Sequence, residues 1–201
     1  MTVSSEPIHR PVRGDDAPAD DHSERGPVDE HSADASGDDH RADDAVLDRF
    51  VDDADRPVVF ERYRPERYGD VTAMYADFAP AHRAQGLPPS TDTARTEWLS
   101  VVLDERSVLA VHDDAVVGHA VLVGDDAGGH ELGVFVHQDY QNAGVGTALL
   151  EATFDHARSL DVTDVWLTVA CSNYRARHVY DELGFAEDAT SGRSVRYTRQ
   201  L

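Results

Sequence analysis

The pattern of apolar and polar positions changes at residue 56. Beyond it, short alternating runs typical of strands are interleaved with stretches in which apolar residues recur every three or four positions, as in helices. Strands are predicted over residues 56–64, 107–112, 115–124, 130–137, 164–171 and 195–201, with a further strand near Phe185. Helices are predicted over residues 65–80, 92–103, 145–160 and 173–183. This order of elements predicts a mixed α/β sheet.

Residues 1–55 differ from the rest of the chain in composition. They hold 17 acidic and 5 basic residues, a net charge of -12, and few large apolar side chains. Such a segment cannot bury enough apolar surface to offset the entropy of ordering it. We therefore predict an acidic, disordered tail over residues 1–55 and one domain over residues 56–201. Within the tail, residues 45–51 are expected to form a single amphipathic turn that docks on the domain.

The tail repeats short acidic triplets that end in histidine, at residues 20–22, 29–31 and 38–40. Carboxylates and imidazoles of this kind can bind a divalent metal weakly. The surrounding composition favours a solvated, flexible segment instead. No metal site is therefore predicted.

The charge of the whole chain is strongly negative, with 39 acidic against 18 basic residues and a formal net charge of -21. There is no lysine, and aspartate outnumbers glutamate by 28 to 11. These excesses are typical of a halophilic protein whose acidic surface stays hydrated in concentrated salt. A field of this sign disfavours nucleic acid and anionic membranes as partners. It does not exclude a local phosphate site, because the Debye length falls to about 3 Å at 1 M salt.

Cysteine usage and the N-terminus bear on the cellular compartment. Cys171 is the only cysteine, which excludes an intramolecular disulfide and an all-thiolate metal site. No apolar run approaches the roughly 20 residues that a membrane span needs, and the first residues lack a signal-peptide core. A soluble cytoplasmic protein is expected.

Gly144 and Gly146 lie in the segment YQNAGVGTALL, where the strand pattern gives way to the helical one. A glycine-rich first turn lets a phosphate approach the unpaired N–H groups of a helix N-terminus, where the helix dipole also favours an anion. Two familiar nucleotide motifs do not fit. A triphosphate-binding loop needs a lysine, and a dinucleotide fingerprint starting at Gly144 would need glycine or alanine where Leu149 stands.

The residues around the glycines make the segment more specific. VFVHQDYQNAGVGTALL resembles the coenzyme A pyrophosphate motif of the GNAT superfamily of acetyl-CoA-dependent N-acetyltransferases, with Gln141, Gly144 and Gly146 at the motif positions. Downstream, NYRARHVYDELGF over residues 173–185 resembles the second cofactor motif of that family. The resemblance covers residues 57–201. It implies a mixed, mostly antiparallel central sheet of six to seven strands flanked by about four helices.

The resemblance also implies a ligand and its contacts. Acetyl-CoA would be the co-substrate, and no metal would be needed. Its pantetheine arm would pair with the backbone of Phe135 and Val136 in the manner of a strand, and Asn173 would bond this arm or cap its own helix. Its pyrophosphate would bind the first turn formed by Gln141, Asn142, Ala143, Gly144, Val145, Gly146 and Thr147.

Acetyl transfer to an amine needs a base for the amine, donors for the oxyanion and an acid for the departing thiolate. By resemblance, Glu131 would be the base, often through a water molecule. His130 and His137 are alternative bases, although His137 is better explained as the cap of the strand end. A backbone N–H near Val136 would bind the oxyanion.

The acid that the resemblance implies is Tyr180. This residue also falls on a helical stripe with residues 176, 179 and 183, which is typical of a core position. The two interpretations agree, since a tyrosine can bury its ring and still offer its hydroxyl to a cleft. Cys171, with His178 nearby, is an alternative nucleophile. It is disfavoured because it ends an apolar strand and because the family transfers the acetyl group directly.

The acceptor is left open by the sequence. In the family, the acceptor site is shaped by the segment between the first two strands, which here includes residues 81–98. Glu97 in this segment and Asp77 just before it would attract a cationic amine. A protein amine, a polyamine and a small amino compound all remain candidates, and a homodimer is neither required nor excluded. The alternative function is a non-catalytic module that binds an acyl-CoA and signals to a partner.

Overall fold

The computed structural model describes residues 45–83 and 86–201, and the histidine triplets of the predicted tail lie outside these residues. The described part contains eight strands and four α-helices. The strands are β1 (Val46–Val51), β2 (Pro57–Arg62), β3 (Val108–His112), β4 (Ala115–Gly124), β5 (His130–Val136), β6 (Asp164–Ala170), β7 (Ala186–Ser191) and β8 (Ser194–Gln200). The helices are α1 (Tyr68–Ala76), α2 (Asp92–Val102), α3 (Val145–Ser159) and α4 (Tyr174–Glu182). None of these helices is long and apolar enough to cross a membrane.

All eight strands form one sheet in the order β1-β2-β3-β4-β5-β6-β8-β7. Neighbouring strands are antiparallel except for β5 and β6, which run parallel. This arrangement confirms the predicted mixed, mostly antiparallel sheet. It has one strand more than the upper number predicted, because residues 46–51 also join it.

Helices cover the two faces of the sheet and enclose two apolar clusters. On one face, Leu132, Val134 and Val136 of β5 pack with residues of α3 and α4 such as Leu149 and Tyr180. On the other face, Phe135 of β5 packs with residues of α1 and α2, among them Tyr75 and Trp98. The alternation along β5 therefore assigns one face to each pair of helices, as expected for a strand buried on both sides.

Strand β1 corrects the prediction for residues 45–51. The sequence predicted one amphipathic turn, whereas the structure has an edge strand antiparallel to β2, with Phe50 paired to Val58. Leu47 and Phe50 pack against the core, while Asp48 and Arg49 are exposed. Leu47 and Phe50 are three positions apart because the ladder shifts register between Val46 and Asp48, and this spacing resembles a helical turn. The sheet therefore includes residues before position 56.

Two local features follow from turn chemistry. The predicted first helix is shorter than residues 65–80, because Pro80 cannot continue a helix and Ala79 before it is extended, with φ -62° and ψ 137°. The β3–β4 connection is the predicted hairpin at Asp113 and Asp114. Both aspartates have positive φ, 48° and 63°, as a two-residue turn of the favoured hand requires.

A buried histidine joins α1 to the sheet. His119 of β4 is fully buried, and its Nδ1 lies 2.8 Å from the hydroxyl of Tyr75. Burial lowers the pKa of His119 from 6.5 to about 3, because the low-dielectric core disfavours the imidazolium. The folded protein therefore keeps this side chain neutral at a pH where the unfolded chain protonates it.

This difference predicts a loss of stability in mild acid. Since the unfolded state binds a proton below pH 6.5 and the folded state does not, the contribution of His119 is complete above that pH and declines as pH falls toward 3. The expected decline is about 1.4 kcal/mol per pH unit. Urea unfolding of wild type and His119→Gln at several pH values should give a shallower decline for the variant. Equal slopes would contradict the assignment.

Candidate active site

The parallel strands β5 and β6 are in register at only one end. His130 pairs with Val165 and Glu131 with Trp166, and no further pairs join the two strands within the described residues. By contrast, β4 stays paired with β5 up to Gly118 and Val136. Beyond Glu131, the edge of β5 that faces β6 therefore borders a wedge-shaped opening in the sheet.

The register of β4 and β5 shows which backbone groups face this opening. The N–H of His137 donates to the carbonyl of Val117 at 2.9 Å, so His137 and Val117 form a hydrogen-bonded pair. Because such pairs alternate along an antiparallel ladder, Phe135 also bonds to β4, whereas Val134 and Val136 point their backbone groups toward the wedge. This register places the backbone groups of Phe135 toward β4, so the strand residues whose backbone faces the wedge are Val134 and Val136, not Phe135.

The glycine turn lies at the wide end of the wedge and leads into α3. Gly144 caps the helix with φ 82°, a left-handed conformation that favours glycine, and a Cβ there would lie 3.0 Å from Cζ of Phe50. A Cβ on Gly146 would meet only Val136 Cγ2, at an ordinary 3.6 Å. The fold itself thus explains Gly144, while Gly146 leaves space at the helix N-terminus.

The first turn of α3 also offers unused backbone donors. Thr147 donates its N–H to the carbonyl of Gly144 at 3.1 Å. No acceptor among the described residues bonds the backbone N–H groups of residues 143–146. Unpaired N–H groups at the positive end of a helix dipole form a site for an anion.

A cleft of about 330 Å³ joins the glycine turn to the wedge. It runs between the end of β5, the start of α4 and the segment that follows α1. Its lining residues are Ala81, His82, Arg83, Val136, Gln141, Asn142, Gly144, Gly146, Thr147, Asn173, Arg175, Ala176 and Val179. Six of the predicted cofactor residues besides Val136 therefore share one cavity with it, whereas Ala143 and Val145 are buried beside it.

Two of the predicted cofactor residues make hydrogen bonds within the protein that stabilise the cleft wall. The side-chain amide of Gln141 donates to the carbonyl of Val136 at 2.9 Å and contacts His82 Nδ1 through its oxygen at 3.0 Å. Asn173 caps α4, since its Oδ1 accepts from the N–H of Ala176 at 3.2 Å. Gln141 thus ties the segment after α1 to the end of β5.

The cleft contains two arginines that the sequence analysis did not select. Arg83 and Arg175 both line it, and neither has an ion-pair partner in the described part of the chain. Nε of Arg83 is buried without a hydrogen bond. In so acidic a chain, other arginines do find carboxylates, as Arg56 does at 2.6 Å from Asp52. The sequence does contain a signal for Arg83, because residues 80–90 include no acidic residue that could pair with it locally.

The predicted base, Glu131, lies at the apex of the wedge. It is the last residue of β5 in register with β6, and it lies on the same face as Phe135, toward α1 and α2. His130 points to the opposite face, and burial lowers its pKa. His137 caps the turn after β5 and lies 3.2 Å from Asp77, and neither histidine lines the cleft.

The predicted acid, Tyr180, is fully buried in the core on the α4 side of the wedge. Its ring packs against Phe185 at 5.5 Å and Tyr197 at 6.1 Å. Its hydroxyl has no hydrogen-bond partner among the described residues, and burial raises its pKa well above the ordinary value of 10. A phenol in this setting stays protonated, and Tyr180 itself does not line the cleft, which its helix borders with Ala176 and Val179.

The predicted acceptor segment is divided between two roles. Residues 81–83 line the cleft, whereas Trp98 of α2 is buried in the core. Asp77 is engaged by His137, and Glu97 is exposed on α2. No group of three or more histidine, cysteine or acidic side chains in residues 45–83 and 86–201 is arranged to hold a metal ion.

Comparison with known proteins agrees with this geometry. The model of the acetyltransferase (GNAT) family matches residues 71–185, so the chain belongs to that family. It is similar to the GNAT domain of S. lividans PAT, with a TM-score of 0.67 and 14% identity over 77% of this chain and 96% of that one. A Salmonella typhimurium protein solved with its cofactor acetyl-CoA gives a TM-score of 0.55 and 20% identity over 72% and 94% of the two chains.

Among relatives by sequence, the chain is similar to a mycothiol acetyltransferase of Propionibacterium freudenreichii. The two are 34% identical over 115 residues, which is 54% of this chain. The match spans 36% of that relative, so it concerns only part of the longer protein.

The two glycines predict different responses to substitution. Gly146→Glu should leave the fold intact, since its Cβ has room, but it should weaken coenzyme A binding by about 100-fold or more through bulk and like charge. Gly144→Ala should instead lower the free energy of unfolding by about 1–2 kcal/mol because of its left-handed φ. Calorimetry and thermal unfolding separate the two effects. Unchanged affinity in Gly146→Glu would contradict this anion site.

Proposed function

We propose that this chain transfers the acetyl group of acetyl-CoA directly to an amine. The observation that carries the proposal is the cleft, which connects the free N–H groups of the α3 N-terminus to the open edge of β5. Such a cavity suits a long ligand with an anionic end and an amide-containing arm. Acetyl-CoA has both features, and it supplies the activated acetyl group as a thioester.

The anionic end of the ligand would lie on the glycine turn. The N–H groups of residues 143–146 and the space at Gly146 suit a pyrophosphate. Arg83 and Arg175 on the cleft walls add positive charge where the chain is otherwise acidic. At high salt, such short-range contacts persist while the long-range repulsion of the acidic surface is screened.

The arm would extend along β5 toward the apex of the wedge. The N–H groups of Val134 and Val136 and the carbonyl of Val134 face the opening and can pair with the amides of the arm, as an added strand would, while the carbonyl of Val136 already accepts from Gln141. The N–H of Val134, which faces the wedge nearer to Glu131 than that of Val136 does, is the proposed donor to the oxyanion. Reaction would then occur near Glu131, where β5 and β6 come together.

The two proposed catalytic side chains, Glu131 and Tyr180, lie in different surroundings, and each environment suits the role proposed for it. Glu131, on the face toward α1 and α2, would accept the proton of the amine, directly or through water. Tyr180, kept protonated by burial, would donate to the departing thiolate from the α4 side. Base and acid would thus lie on opposite faces of the sheet, with the thioester passing between them.

The acceptor would approach the face of the sheet that carries Glu131. On this face Trp166 is in register with Glu131, and Arg196 lies over the Trp166 ring at 4.0 Å from its centroid. The ring nitrogen of Trp166 donates to Asp125 at 2.8 Å, which fixes the indole. These side chains define the floor on which the acceptor amine would rest. The acidic composition further supports activity in concentrated salt.

The proposed roles predict distinct pH profiles for two variants. Glu131→Gln and Tyr180→Phe should each lower kcat by about 10² to 10⁴. Raising the pH should partly rescue Glu131→Gln, because more of the amine is then already deprotonated, but it should not rescue Tyr180→Phe. The measurement is amine-dependent release of coenzyme A across the pH range.

Tyr197→Phe is the matched control for the tyrosine. Tyr197 is equally buried, but its hydroxyl accepts a hydrogen bond from Arg177 Nε at 3.1 Å. Loss of this hydroxyl should lower the free energy of unfolding but should change kcat little. Near-normal turnover in both Glu131→Gln and Tyr180→Phe would contradict the proposed chemistry, and binding of acetyl-CoA without turnover in the wild type would favour the alternative of a non-catalytic module.

A further inference from the structure

The β1–β2 hairpin, residues 46–62, contacts the glycine turn from behind. Phe50 of β1 lies so close to Gly144 that a Cβ there would be 3.0 Å from its ring. In the connection between the two strands, the N–H of Asp53 donates to the carbonyl of Ala143 at 3.1 Å. Both residues that precede α3 are therefore held by a part of the chain outside the segment that the family model matches.

Arg56 extends this contact to the residues that open the turn. Its Nη1 donates to the carbonyl of Asp139 at 3.0 Å, and its guanidinium lies over the ring of Tyr140, 4.0 Å from the centroid. Tyr140 is itself fixed, because its hydroxyl lies 2.8 Å from Nδ1 of His112 on β3. Arg56 thus contacts the backbone and a side chain directly before Gln141.

The guanidinium of Arg56 is oriented by Asp52. Asp52 Oδ2 accepts from Arg56 Nε at 2.8 Å and lies 2.6 Å from its Nη2. Asp52 is only 3% exposed, and its other oxygen accepts from the N–H groups of Ala54 and Arg56. The carboxylate therefore shapes the hairpin connection and aims the arginine at the same time.

The glycine turn needs such external support. Ala143, Gly144 and Gly146 have at most a methyl group with which to anchor themselves, yet the N–H groups that would bind an anion must all point to one place. A binding site held in its bound geometry avoids the entropy of ordering it when the ligand arrives. Contacts from behind the turn supply this order without occupying the cleft.

We propose that Phe50 and Arg56 are positioning residues of the cofactor site, and that the β1–β2 hairpin sets the affinity for the phosphate end of acetyl-CoA. The inference rests on the proposed function. It adds a residue set that touches neither the ligand nor the reacting atoms and acts only through the glycine turn.

The test is the effect of Arg56→Gln on the two kinetic constants. The KM for acetyl-CoA and the Kd for coenzyme A should rise about tenfold, while kcat at saturating acetyl-CoA stays within about twofold, since the reacting groups are untouched. Arg49→Gln is the matched control, because it removes the same charge from an exposed position on β1. It should leave KM, Kd and kcat unchanged.

A second ligand separates positioning from general stability. S-acetylpantetheine lacks the phosphates, so its KM should be the same in Arg56→Gln and wild type. A loss of affinity for both ligands would mean that the hairpin supports the whole domain and would overturn the proposal. Asp52→Asn should reproduce the acetyl-CoA effect, and the double variant should be no worse than Arg56→Gln, because both changes remove one contact.

The failure of this inference can be told from failure of the proposed function. If wild type neither binds coenzyme A nor uses acetyl-CoA, the proposed function fails. If wild type does both and Arg56→Gln keeps its KM and Kd, only the positioning role fails. Phe50→Leu provides an independent variant that keeps an apolar side chain, and it should raise KM for acetyl-CoA in the same direction.

Discussion

The structure depends on one interruption in an otherwise continuous sheet. β5 is fully paired with β4 on one edge but meets β6 only at His130 and Glu131 on the other. Unpaired strand edges are normally covered or avoided, because their N–H and C=O groups need partners. Here the open edge borders a cleft, and the same geometry places Glu131 at the apex and the α3 N-terminus at the mouth. A ligand that pairs with the edge is therefore oriented by the fold itself.

The two glycines of the turn, Gly144 and Gly146, are required for different physical reasons. Gly144 is required by its own backbone conformation and by the approach of Phe50, whether or not a ligand binds. Gly146 has no such reason within the protein, and its missing side chain matters only for what enters the cleft. Packing behind the turn therefore fixes the positions of the backbone N–H groups that face the cleft.

Much of this could be predicted from the sequence, and the failures have physical causes. Alternation and helical periodicity predicted most elements, and the glycine motif located the cleft, because these signals are local. Strand β1 was missed because its apolar residues Leu47 and Phe50 are three positions apart, across a register shift, and because its pairing with β2 is a tertiary contact. The orientation of the Val134 backbone toward the wedge, in place of Phe135, depends on strand register, and the position of Arg83 depends on the path of a loop. Neither is encoded locally.

We propose that the cleft at the wedge binds acetyl-CoA with its phosphates on the glycine turn and its thioester near Glu131. This binding mode can be seen in a crystal structure of the complex with coenzyme A. We expect phosphate oxygens within hydrogen-bond distance of the N–H groups of Gly144 and Gly146, between Arg83 and Arg175, and the pantetheine amides paired with Val134 and Val136. Coenzyme A bound elsewhere, or with its phosphates away from the α3 N-terminus, would show that the cleft is not the cofactor site.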